Sequence, residues 1–170
     1  MVQNGMRGMP GSVAVDAAEA RPGAAVRDAL DDGRGEAAGA GECAVEIEIP
    51  VRLVSLLNSR EHHMARARRA KQQRSLARLQ TIARLCRSPL WARVANGCGL
   101  VVTITRIGPR ELDDDNLAGS AKHVRDGIAD ALGIDDGDKR IVWRYRQAKF
   151  TGAARGGYSC AVRIEQKGTA

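Results

Sequence analysis

The chain has 170 residues with 44% hydrophobic content, enough for one ordinary core and a tail, while aromatics at 3% are too scarce for a single-strand binder built on stacked bases. Residues 1–42 hold seven acids and four arginines, so the formal +7 of the whole chain becomes +10 over residues 43–170, a field that attracts phosphate backbones and other anionic surfaces. No apolar run reaches the about 18 residues of a membrane span and no charged leader precedes an apolar stretch; Cys43, Cys86, Cys98 and Cys160 show neither a C-x-x-C pair nor ligand-like spacing, so a cytoplasmic protein with reduced thiols is expected.

Residues 1–42, rich in Gly, Ala and Asp and lacking a sustained apolar period, read as a disordered leader, with Met6 and Met9 as alternative starts. The ordered domain is expected over 43–168. Val45, Ile47 and Ile49 alternate with Glu46 and Glu48, which predicts a strand over 44–49 ended by Pro50. From Ser59 to Arg87 the spacing of Met64, Ala67, Leu76, Leu79, Ile82, Ala83 and Cys86 is helical, with Ser59 a fair N-cap and Pro89 a stop. Leu100 to Ile107 is rich in Val, Ile and Thr and reads as a strand closed by Gly108-Pro109. Leu117, Ala121, Val124, Ile128 and Ala131 step by three and four along a second helix that Gly133 caps. Ile141 to Phe150 and Tyr158 to Gln166 supply two more strands across a Gly-rich turn. The order β-α-β-α-β-β predicts an α/β (α+β) domain, a small mixed sheet with two main helices against it.

Two carboxylate groups flank the second helix: Asp113, Asp114 and Asp115 before it, Asp135, Asp136 and Asp138 after it. Asp113 and Asp115 are two apart and in an extended stretch point to one side, where the positive end of the helix also favours their charge. Asp115, Gly119, Lys122 and Asp126 form one stripe opposite Val124 and Ile128. Asp135 and Asp136 return to Asp113 and Asp115 if the strand after them pairs beside the Leu100 strand. Each group alone is commonly an N-cap or a turn, and a calcium loop is disfavoured because the second lacks alternating ligands and a distal Glu. Together with Asn116 and Lys122 in a basic domain, they suit Mg²⁺ held against a phosphodiester.

The set Asp113-x-Asp115-Asn116-Leu117, Lys122 four residues ahead of Asp126 and Gly127-Ile128, Gly133-Ile134-Asp135-Asp136, and Lys149 beyond a strand resembles the RusA-type Holliday junction resolvases of prophages and bacteria. The resemblance covers about residues 100–150, with a looser match at Leu56-Leu57-Asn58. It implies a RusA-like fold, Mg²⁺ (or Mn²⁺) bound by Asp113, Asp115 and Asp136, with Asp135 the adjacent candidate for the third carboxylate, and Lys122 assisting catalysis. It also implies a homodimer that nicks four-way DNA junctions in symmetric pairs during recombination and repair. One departure stands out: the family's lysine follows the Asp-Asn pair by about one turn, where this chain has Gly119, and aligning Lys122 requires a three-residue insertion.

Between Arg60 and Arg93 the chain carries ten Lys or Arg residues and one acid, Glu61. Arg66, Arg68, Arg69, Lys71, Arg74 and Arg78 therefore read as a face for duplex phosphates, contacts that orient a protein without reading sequence. His62 and His63 diverge by about 100° on a helix and do not readily share a metal. Trp143 and Tyr145 are expected to pack the sheet or a dimer interface. Two alternatives to a junction resolvase are a nuclease of flaps or forks, and a non-catalytic DNA-binding or regulatory protein on the same fold.

Overall fold

The computed structural model describes residues 43–55, 61–149 and 158–168. Strand β1 (Ala44–Ile49) turns Val45, Ile47 and Ile49 into the core, while Glu46 and Glu48 point to the opposite side. Strand β2 (Leu100–Gly108) is buried along its whole length, because it is flanked on both sides: β3 (Ile141–Lys149) lies parallel to it, with Leu100 beside Ile141 and Gly108 beside Lys149, and β4 (Ser159–Gln166) lies antiparallel on its other edge. β4 also pairs antiparallel with β1, so the spatial order is β1-β4-β2-β3. The mixed α/β architecture in the order β-α-β-α-β-β is as the periodicities predict, and the last strand inserts inside the sheet.

Both predicted helical segments are present; the first is a single helix with a short one after it, and the second is divided. Helix α1 (His63–Leu85) begins where the His62 ring nitrogen accepts from the Met64 amide at 3.4 Å; Ser59, the predicted cap, and Leu56-Leu57-Asn58 lie outside the described residues, as do Phe150 and the 151–157 connection. Pro89 ends the segment as predicted but also opens a short helix, α2 (Leu90–Ala95), that anchors by a fully buried Leu90. The second segment is α3 (Asp114–Ser120) followed by α4 (Lys122–Leu132). Between them the Ser120 hydroxyl donates to the Leu117 carbonyl at 2.7 Å, and the Ala121 amide is shared between the Leu117 and Ala118 carbonyls at 3.2 and 3.3 Å. Such a back-bonding serine loosens the regular ladder and bends the helix. At the far end Gly133 adopts φ +68°, the left-handed cap expected there.

The face α1 buries is not the predicted one. Met64 and Leu79 are exposed at 52% and 63%, and Cys86 is exposed; the buried stripe is Gln73, Ala77, Thr81 and Leu85. Small side chains occupy it because α1 and α4 approach backbone to backbone: a Cβ on Gly127 would lie 2.3 Å from the Arg74 carbonyl oxygen. Gln73 is admitted because its amide donates to the Arg52 carbonyl at 2.8 Å. Val124, Ile128 and Leu132 of α4 complete the core with Val102, Ile104, Val162 and Ile164 of the sheet. Trp143 and Tyr145 pack against this core from β3. All four cysteines are unbridged, and burial pushes the Cys160 thiol up to about 12. Among the described residues no helix is long and apolar enough to cross a membrane.

Candidate functional site

The loop leaving β2 brings Asp113 to the start of α3. Gln147 of β3 grips this loop at Leu112, accepting from its amide at 2.9 Å and donating to its carbonyl at 2.8 Å, and Lys149 pairs with Glu111 at 3.0 Å. Buried Arg106 donates to the Arg110 carbonyl at 2.6 Å. Asp113 stands at the N-cap position, where its carbonyl accepts from the Leu117 amide at 2.8 Å. Its carboxylate makes no capping bond and instead accepts from the Asn116 side-chain amide at 2.6 Å. Asn116 is buried and accepts in turn from the Ser55 hydroxyl. A Ser55–Asn116–Asp113 chain thus orients one exposed carboxylate, with Asp114 and Asp115 exposed beside it in the first turn.

The second acid group follows the Gly133 cap. The Asp135 carboxylate accepts from the Gly137 amide at 2.8 Å, turning the chain, and Arg140 holds the Asp138 carboxyl down to about 2 through its guanidinium. The Asp136 carbonyl accepts from the Trp143 indole at 2.9 Å, and its carboxylate pairs with Arg125 at 2.6 Å. Arg125 also reaches the Tyr145 hydroxyl at 3.5 Å.

A cleft of about 380 Å³ opens between α1, α4 and this loop. It gathers Lys122, Asp135, Asp136 and Arg74 from the sequence-predicted set, and adds Arg125, Asp126 and Asp130. Arg74 pairs with Asp130 through two bonds, at 2.6 and 2.8 Å, an arrangement that raises the guanidinium pKa and lowers that of the carboxyl. Asp126 was visible in the sequence as a member of the Lys122 stripe; Arg125 and Asp130 carried no sequence signal, since each depends on which helix α4 faces.

Asp113 and Asp115 do not line this cleft. The predicted pairing is present, since β3 lies beside β2, yet the pairing is parallel. In a parallel crossover the loop leaving the first strand and the loop entering the second lie at opposite ends of the sheet. Trp143, Tyr145 and Gln147 on one face of β3 mark the separation: Trp143 holds Asp136, Gln147 holds Leu112, and four residues of strand span about 13 Å. Among the described residues no three Asp, Glu, His or Cys side chains come together as a metal site. The three-aspartate set of Asp113, Asp115 and Asp136, or the same set with Asp135, is therefore not assembled within one chain.

The basic helix divides by direction. At 100° per residue, Arg68, Lys71 and Arg78 fall within about 80° of one another, to one side of the buried stripe, and all three are exposed. Arg74 flanks them on the cleft side, and Arg69, half-buried, pairs with Glu61 at 2.5 Å. Across the α1–α4 contact the charges of Arg66 and Arg69, with that of Lys122, act on His123. Burial above all, and then these three cations against the opposing Asp126, lower the His123 pKa. Sequence reading passed over His123, whose surroundings exist only where α1 meets α4.

No family model matches the chain, and no curated protein matches it either.

Proposed function

We propose that this protein is a Mg²⁺-dependent structure-specific endodeoxyribonuclease that resolves four-way DNA junctions, acting as a homodimer in recombination and repair. The observation that carries the reading is the cleft in which Lys122 and Arg74 stand beside Asp135 and Asp136, with the exposed Arg68, Lys71 and Arg78 of α1 supplying further cations for duplex phosphates. Mg²⁺, or Mn²⁺ in its place, is the cofactor this reading requires. A hydrated Mg²⁺ takes one or two carboxylates and completes its shell with substrate phosphates, so Asp113 with Asp115, or Asp136, is each a sufficient protein contribution, although one chain does not unite them.

The test is cleavage of a labelled synthetic four-way junction in Mg²⁺ by the wild type and by Asp115→Asn. Paired nicks from the wild type alone support the reading; equal cutting by both removes Asp115 from it. A second reading, a DNA-binding or regulatory protein on the same fold, is favoured by the separation of the two acid groups and by the engagement of Asp136 with Arg125. Binding that persists in EDTA, with no cleavage in either metal, selects it.

A further inference from the structure

Arg106 closes the core face of the sheet at the end where β2 gives way to the Asp113 loop, in a row with Ile49, Cys160 and Gln147 across the four strands. It is 6% exposed. A guanidinium so placed ordinarily faces a carboxylate, because an unpaired buried charge is strongly destabilising. Here the partners are neutral: Nη1 donates to the Arg110 carbonyl at 2.6 Å and Nε to the Leu53 carbonyl at 3.4 Å. In its row Cys160 is a buried thiol, and both ends of the Gln147 amide are engaged by Leu112. No carboxylate among the described residues acts on Arg106; burial above all lowers its pKa, and the charge of Arg52 lowers it further. The chain between Lys149 and Tyr158 contains no Asp or Glu, nor do residues 56–60.

The group is open on one side. Nη2 donates to no described residue, yet it is not among the side-chain nitrogens sealed from solvent. Gly108 provides the room: a Cβ there would lie 3.0 Å from Nη2 and 3.2 Å from Cζ, so only a bare backbone lets the guanidinium lie along the strand end. Arg52 is held nearby with its guanidinium 4.2 Å over the Tyr158 ring, and Arg110, whose carbonyl holds Nη1, is exposed. We propose that this end of the sheet is a binding site for a phosphate group, with Nη2 of Arg106 at its floor and Arg52 and Arg110 at its rim.

A phosphate supplies what the chain withholds. It brings the counter-charge that the buried guanidinium lacks, and its several oxygens accept from a fixed Arg fork and from neighbouring cations at once. The carbonyl bonds hold the fork in place before the ligand arrives, so little side-chain freedom is lost on binding. The site is separate from the cleft that holds Asp135 and Asp136, which lies at the other end of the sheet. It requires neither metal nor cleavage, so its failure and that of the nuclease reading are distinct.

The experiment follows the Arg106 Nε–Hε NMR signal of the full-length chain as inorganic phosphate is added, and compares thermal unfolding in sodium phosphate and in sodium chloride of matched ionic strength. Phosphate stabilises folded chains generally by exclusion from their surface, so the readout is the excess stabilisation of wild type over variant. The wild-type signal is expected to move and saturate, and Arg106→Gln should weaken phosphate binding at least about ten-fold. Gly108→Ala keeps every charge, and its Cβ meets first the flexible end of the Arg106 side chain; it should displace the guanidinium and weaken phosphate binding too, and serves if Arg106→Gln fails to fold. A duplex without terminal phosphates then identifies the source: movement of the same signal supports the site as one for backbone phosphodiesters, and none, after inorganic phosphate has moved it, supports it as one for a free or terminal phosphoryl group. A signal unmoved by inorganic phosphate, or equal phosphate stabilisation of wild type and the folded variants, overturns the proposal.

Discussion

Replacing Gly127 by Ala tests the contact that builds the cleft. The added methyl would lie 2.3 Å from the Arg74 carbonyl oxygen and 2.9 Å from the Ala77 Cβ; both neighbours are fixed, one by the helix backbone and one by its own shortness, so the helices must separate. Over-packing of this kind costs about 1–3 kcal/mol, and the backbone clash places it at the upper end. The gain in helix propensity from Gly to Ala returns about 1 kcal/mol. The net loss is about 2 kcal/mol, which for a domain of this size lowers Tm by roughly 6–8 °C. Gly119→Ala is the control, because a Cβ there meets nothing within 4 Å and the same propensity gain should raise stability by up to about 1 kcal/mol. Thermal and urea unfolding of the two variants should therefore move in opposite directions. If Gly127→Ala is as stable as Gly119→Ala, the close approach of α1 and α4 is wrong, and with it the placement of Arg74 beside Asp130 in the cleft.

Three further outcomes can be measured. Asn116→Ala leaves the buried Ser55 hydroxyl and the Asp113 carboxylate without their shared partner and should cost about 2 kcal/mol in urea unfolding; a neutral result would mean that the chain of bonds does not hold this loop. Burial lowers the His123 pKa in the fold, so the unfolded chain binds more protons from the lowered folded pKa up to about 6.5 and stability rises with pH across that window. A duplex that neutralises Lys122, Arg66 and Arg69 should raise the His123 pKa in an NMR titration and so bind more tightly at pH 6 than at pH 8; an unmoved resonance would place the duplex elsewhere. Arg68→Ala/Lys71→Ala should reduce the slope of log binding constant against log salt by about 2, and an unchanged slope would remove this face of α1 from the phosphate contacts.

Much of the local structure was legible from pattern alone. The alternation of Val45, Ile47 and Ile49 and the buried Val-Ile-Thr run of β2 set their strands to within a residue, because a period of two leaves one choice of inward face. Gly133 marked a helix end because the left-handed cap favours a residue without Cβ. The buried face of α1 was not legible: hydrophobicity points to Met64 and Leu79, yet a close helix crossing selects small side chains, and Ala77 and Thr81 give no strong signal. The acid groups and Lys122 could be read as chemistry by composition and spacing, and Lys122, Asp135 and Asp136 do share a cleft.

Which of those acids can act together was a matter for the tertiary structure. Sequence determined the main elements and the inward faces of β1 and α4, since these follow from backbone periodicity and residue type within a few neighbours. It did not determine that β4 would enter between β1 and β2, or that β3 would lie parallel to β2. Strand order and direction depend on contacts between residues far apart in the chain, and the parallel pairing is what holds Asp113 and Asp136 at opposite ends of the sheet.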